Sequence, residues 1–145
     1  MHQKARVNVL VDTSIWSLAL CRKPHDLNPA EQAAVAELTN FIKEGRARII
    51  GLVRQELLSG IKTPTQYEKL RGILRSFPDE VISTSDYEAA ATASNDCRAR
   101  GVAVSVSDML ICAMALARDW SIFTTDPDFK NYVRALPLKL HAPRR

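Results

Sequence analysis

Apolar positions along this chain alternate between strand-like runs and helical spacing. Val7 to Val11 is a short apolar run bounded by polar residues, which predicts a strand. Thr13 or Ser14 can cap a helix over Ile15 to about Leu20, and Cys21 to Leu27 reads as a loop. Asn28-Pro29-Ala30-Glu31 then supplies an N-cap, a proline at the first helical position and a capping-box acid. The helix they open carries Val35, Leu38, Phe41 and Ile42 at helical spacing and ends near Gly45. Arg48 to Leu52 is predicted as a second strand, with Glu56 in the first turn or so of the next helix.

Pro64 restarts the chain into a helix over Gln66 to Arg75, and Val81-Ile82 reads as a short edge strand. Ser85-Asp86-Tyr87-Glu88 matches a second capping box, opening a helix to about Arg100 with Gly101 just past its end. Ser107 is the expected cap of a helix from Asp108 to Arg118 that is apolar on nearly every face and therefore buried. Ser121 to Thr124 is a strand, Asp126 to Val133 a short helical turn and Leu138 to Leu140 a last strand. Strands alternating with helices predict an α/β domain: a mainly parallel sheet with helices on both faces. No repeat or linker divides residues 1–145, so one domain is expected.

Composition narrows the function classes. At 46% hydrophobic residues the chain can bury a real core, yet its longest apolar run, Met109 to Ala117, is too short to span a bilayer. Met1 to Arg6 lead into the first strand without a signal-peptide core, so no membrane association is expected. Cys21, Cys97 and Cys112 are odd in number and lack a CxxC pattern, which argues against a disulfide framework or zinc site and for a reducing cytoplasm. The net charge of +4 shifts the odds modestly toward a polyanionic partner. Lys62, Lys69, Arg71 and Arg75 cluster mid-chain, Arg98 and Arg100 flank a helix end, and Arg144-Arg145 close the chain. An acidic centre inside such a basic surface suits a phosphate-bearing substrate.

Four acids sit outside those clusters. Asp12 ends the first strand, Glu56 leads away from the second, Asp108 opens the apolar helix and Asp126 follows the strand at Ser121. The Asp108–Arg118 helix runs antiparallel to the strand it feeds, so its N-terminus returns to that strand's C-terminal edge. All four carboxylates are thus predicted at one edge of one sheet, where open α/β sheets place their ligands. Two unit charges about 4 Å apart repel by roughly 4 kcal/mol at an effective dielectric near 20. Helix dipoles at that edge contribute only about 0.3–1 kcal/mol each. A divalent cation offsets the repulsion, and hard oxygen ligands select Mg²⁺ or Mn²⁺ over zinc.

Taken singly, each acid has an ordinary explanation. Asp12 suits a turn, Glu56 an exposed helix face, Asp108 the first turn after a cap, and Asp126-Pro127 an N-cap followed by proline. Caps and surface acids need not share a sheet edge, however. Ser14 and Thr124 are placed to hydrogen-bond the carboxylates, although capping and strand propensity account for them equally well. His2, His25 and His141 are expected to be solvated, Trp16 and Trp120 to pack against the core, and Asp86, Glu88 and Asp96 to serve as helix-surface or capping residues.

Four segments together resemble the PIN-domain ribonucleases, specifically the VapC toxins of VapBC-type (type II) toxin–antitoxin pairs. They are Val9-Leu-Val-Asp12-Thr-Ser14-Ile-Trp, Arg54-Gln-Glu56-Leu-Leu-Ser-Gly60, Ser107-Asp108-Met-Leu-Ile-Cys-Ala113 and Phe123-Thr-Thr-Asp126-Pro-Asp128-Phe129. Their order covers nearly the whole chain. The resemblance implies a PIN-like three-layer α/β/α sandwich with four or five strands. It makes Asp12, Glu56, Asp108 and Asp126 an acidic quartet around one or two Mg²⁺ or Mn²⁺ ions, with Asp12 and Asp108 as main ligands. Ser14 and Thr124 become supporting positions, and Asp128 an alternative to Asp126 for the fourth acid. It further implies metal-assisted hydrolysis of RNA, a homodimer, and a VapB-like antitoxin whose basic side chain enters the acidic pocket.

The competing readings are weaker. A receiver-type phosphoacceptor needs an adjacent acid pair near the first strand end, where this chain has Thr13 and Ser14, and leaves Glu56 without a role; Lys139 supplies only its lysine. A haloacid-dehalogenase-like phosphatase needs an Asp at position 14. No Ser-His-Asp or Cys-His pattern points to covalent catalysis. A catalytically silent module that binds RNA or an antitoxin is the remaining alternative.

Overall fold

The computed structural model describes residues 7–142, so His2, Arg144 and Arg145 lie outside the described residues. Three strands form a parallel sheet in the order β2-β1-β3: β1 is Val9–Val11, β2 Ala47–Arg48 and β3 Ser121–Phe123. Val9 and Leu10 pair with Ala47 and Arg48 on one side, and Val9 to Val11 pair with Ser121 to Phe123 on the other. All three residues of β1 are fully buried. That burial explains a continuous apolar run in place of an alternating one, as expected of a central parallel strand. The strand predicted at Leu138 to Leu140 reduces to a single parallel bridge of Leu140 with Ile122, and a second bridge joins Ile49 to Asp79.

Seven α-helices lie among the described residues: α1 (Thr13–Leu20), α2 (Pro29–Lys43), α3 (Gly51–Leu58), α4 (Pro64–Leu74), α5 (Thr84–Ala99), α6 (Val106–Arg118) and α7 (Asp128–Tyr132). A short 3₁₀ turn at Pro24–Asp26 interrupts the predicted loop after α1. Helix α1 packs on α2 and α3, while α6 packs on β3 and α5. The core runs from β1 through Trp16, Phe41 and Ile49 to the buried side of α6 at Met109 to Ala115. Trp16 is fully buried and donates Nε1–H to the Val11 carbonyl at 3.1 Å, and Trp120 is half-buried against the core.

Helix boundaries depart from the sequence reading where two capping patterns compete. The box at Asn28 and Glu31 forms as predicted. At α5 the box is built by Ser83 and Asp86, two residues before the predicted pair. Arg118 on α6 grips the Asp86 carboxylate through both oxygens at 3.0 Å, and no such partner holds Glu88. The predicted strand at Val81-Ile82 is absent: Val81 is 82% exposed, and only Ile82 packs against the core. Helix α6 likewise starts at Ser105 rather than Ser107: the Ser105 hydroxyl accepts from Asp108 N–H at 3.2 Å. Helix α3 begins at Gly51, so Leu52 is helical and Glu56 falls in the second turn; buried Val53 and Leu57 have helical spacing and draw this segment out of the strand.

Gly101 ends α5 as predicted, at φ +73, with Val102 N–H bonding the Cys97 carbonyl in a Schellman arrangement. His141 contradicts its expected solvation. Its ring stands edge-on to Phe41 and Phe123, and Nε2 lies 2.9 Å from the Glu37 carboxylate, because the Leu140 bridge carries it over α2. Cys97 and Cys112 are buried, and all three cysteines are free.

Candidate metal centre

Asp12 stands at the seam between β1 and α1. Its backbone carbonyl accepts from Ile15 N–H (3.1 Å) and Trp16 N–H (3.3 Å), which leaves the side chain out of the helix cap. Ser14 and Thr124 hydroxyls instead donate to Asp12 Oδ2 at 2.9 and 2.7 Å. The carboxylate is 6% exposed, so those two bonds offset much of the cost of burying its charge. Thirteen and fourteen therefore do not act as the cap. The Ser14 hydroxyl faces Asp12 and accepts from Thr125 N–H at 3.0 Å, and the Thr13 Oγ1 is buried near the Glu56 carboxyl.

The Thr124 hydroxyl also accepts from Asp126 N–H at 3.0 Å, which links Asp12 to the loop beyond β3. Within that loop Asp126 Oδ1 accepts from Asp128 N–H at 2.9 Å, a turn one residue ahead of the Pro127 cap of α7, in place of the expected N-cap at Asp126, and it occupies one of the two oxygens. Carboxylate oxygens of Asp108, Asp126 and Asp128 all lie within 4.8 Å of one another. Asp128, named only as an alternative by the resemblance, thus sits in the same group as Asp126. Asp108 comes from the first turn of α6, and its Oδ2 accepts from Tyr132 Oη at 2.6 Å. Tyr132 is a contact that sequence reasoning missed. Its only signal is a helical offset of three from Phe129, which reads as core packing.

Electrostatics tie the remaining acid to this group. Burial raises the pKa of Asp108; the Tyr132 and Ser105 hydrogen bonds pull it down, and the charges of Asp12 and Asp126 push it up again. Glu56 lies on the exposed rim of the site, yet the protein around its carboxyl and the negative charges of Asp12 and Asp108 raise its pKa against the nearby hydroxyls of Ser107 and Thr13. Asp12 thus acts on both Glu56 and Asp108, and Asp126 acts on Asp108. Two clefts border them. One, of about 490 Å³, is lined by Glu56, Gln55, Ser59, Val106 and Ser107; the other, of about 270 Å³, is lined by Ser105, Asp128, Asn131, Tyr132 and Arg134.

This donor set fits a hard divalent cation. It offers carboxylate oxygens with no thiolate or imidazole among them, and a bound ion would offset both the burial and the mutual repulsion that raise the pKa values of Glu56 and Asp108.

The family model for the PIN domain matches residues 9–135. The chain belongs to the PIN domain family. Its fold is shared with solved structures at low sequence identity. FitAcB from Neisseria gonorrhoeae is 18% identical with a TM-score of 0.70, covering 93% of this chain and 97% of that one. VapBC2 from Rickettsia felis, bound to a DNA fragment from its promoter, is 19% identical with a TM-score of 0.69, covering 92% and 96%. DNA-bound VapBC from Salmonella typhimurium is 14% identical with a TM-score of 0.68, covering 94% and 98%. No curated protein sequence matches the chain. As in the sequence reading, the PIN fold here is α/β with a parallel sheet, and no helix among the described residues is long and apolar enough to cross a membrane.

Proposed function

We propose that this PIN-domain protein is the toxin of a VapBC-type pair and cleaves RNA phosphodiester bonds with Mg²⁺ or Mn²⁺ held by its acidic group. The observation that supports the reading is the grouping of Asp108, Asp126 and Asp128 carboxylate oxygens within 4.8 Å of one another, with buried Asp12 tied to Asp126 through the Thr124 hydroxyl. Asp12 and Asp108 would hold the ion, with Asp126 or Asp128 completing the set. When bound, the ion supplies positive charge against the scissile phosphate and acidifies water.

The protein's own groups do the rest. Ser14 and Thr124 fix the rotamer of Asp12 by donating to Oδ2. Glu56 at the rim orients the attacking water by accepting its proton-side hydrogen bond, a role suited to a carboxylate of raised pKa. No nucleophilic side chain is needed, because water attacks phosphorus directly and the leaving oxygen departs with the proton balance closed by solvent. The partner would be a VapB-like antitoxin, as in the toxin–antitoxin complexes that share this fold, and its basic tail would compete for the same carboxylates. A homodimer in a reducing cytoplasm completes the proposal.

Expression in a bacterial host tests the toxin reading. Wild-type protein is expected to arrest growth, while Asp12→Asn and Asp108→Asn proteins, folded and equally abundant, leave growth unaffected. Arrest by the folded Asp12→Asn protein would contradict it.

A further inference from the structure

Three helices in this chain begin with a Ser or Asn cap followed three residues later by an acid, and the third behaves differently. Asn28 with Glu31 and Ser83 with Asp86 form full capping boxes, in which the acid's carboxylate returns to the N-cap N–H. At α6 the cap is one-sided. Ser105 Oγ accepts from Asp108 N–H, but the Asp108 carboxylate does not reach back to Ser105 N–H. It turns instead to Tyr132 Oη at 2.6 Å and toward Asp126 and Asp128. Tyr132 is 2% exposed and stacked edge-on against Phe129 at a centroid distance of 5.1 Å, so its hydroxyl is held in place by the packing of α7. A buried phenol needs an acceptor, and this one has the Asp108 carboxylate.

We propose that Tyr132 is a positioning residue: by donating to Oδ2 it fixes the Asp108 carboxylate beside Asp126 and Asp128, in the orientation that binds a divalent cation. The inference rests on the metal-site reading above and deepens it. Groups that orient a ligand carboxylate typically govern metal affinity by about 10–100-fold. Tyr132→Phe removes one oxygen and keeps the ring against Phe129.

The test is Mn²⁺ binding to purified protein by calorimetry and electron paramagnetic resonance. Tyr132→Phe is expected to bind Mn²⁺ about 10–100-fold more weakly than wild type, to melt within a few degrees of it in EDTA, and to lose kcat on RNA with KM little changed. Tyr87→Phe, at a side chain 58% exposed, is expected to match wild type in all three. A second measurement needs no mutation at the site. With 3-fluorotyrosine at the three tyrosines, the ¹⁹F resonance of Tyr132 is expected to shift on adding Mg²⁺ while those of Tyr67 and Tyr87 stay put. Equal Mn²⁺ affinity in wild type and Tyr132→Phe, or a Tyr132 resonance indifferent to Mg²⁺, overturns the inference and leaves the metal site standing. Wild-type protein that binds no Mn²⁺ overturns both.

Discussion

A single hydroxyl, that of Thr124, couples two of the acids. It donates to Asp12 Oδ2 at 2.7 Å and accepts from Asp126 N–H at 3.0 Å, so one side chain sets the distance between the end of β1 and the loop after β3. Thr124→Val keeps the shape and removes both bonds. It is expected to weaken Mn²⁺ binding by about 10–100-fold, the usual cost of losing an orienting partner, with calorimetry as the check; an unchanged affinity would show that Asp12 needs no such support. At this scale the sequence was informative about which residues carry charge and poor about which residues hold them. Asp12, Glu56, Asp108 and Asp126 stand out because the order of strands and helices assigns all four to one sheet edge. Tyr132 does not, because its contact with Asp108 joins residues 24 apart and depends on how α7 docks. His141 is hidden for the same reason, since only the Leu140 bridge brings it to Glu37.

Between elements, the firmest polar link described here is the fork from Arg118 on α6 to Asp86 at the start of α5. Both guanidinium Nη atoms reach the carboxylate at 3.0 Å, and Ser83 adds its backbone N–H and hydroxyl at 2.9 and 3.1 Å. The Arg118 hydrogen bonds, with those of Ser83, hold the Asp86 carboxyl well below the usual carboxylate range. Because the folded-state pKa is depressed, the stabilisation is complete above the ordinary aspartate value and is lost as pH falls below it. Arg118→Met is expected to cost about 1.5–3 kcal/mol at pH 7, the scale for hydrogen bonds to a charged group, and less at pH 3. Urea denaturation at the two pH values checks this, and an equal loss at both would remove the ion pair from the account. This pair also explains why the cap of α5 was misread. Ser85 and Glu88 match the local pattern better, but a partner on another helix decides between two adjacent boxes, and no local pattern contains it.

Across the whole molecule, topology is what collects the site. Residues from position 12 to position 128 meet because β1 lies between β2 and β3, all parallel, with α6 returning its N-terminus to the same edge. The parallel sheet was legible, since alternation of strand and helix forces parallel connections. The outer strands were not, because two-residue apolar stretches such as Val81-Ile82 carry too little pattern to separate a bridge from a coil. Part of the basic surface is also less free than the sequence implied. Arg71 is paired with Glu68 at 2.8 Å, and Arg100 donates to the Arg134 carbonyl at 3.1 Å.

The most direct measurement is cleavage of RNA by purified protein in Mn²⁺, in EDTA, and in Mn²⁺ with Asp12→Asn. The account expects cleavage only by wild-type protein with metal, with the variant slowed by more than about 100-fold, beyond the range for residues that merely support a ligand. Cleavage by wild type that persists in EDTA, or equal cleavage by Asp12→Asn, would contradict it.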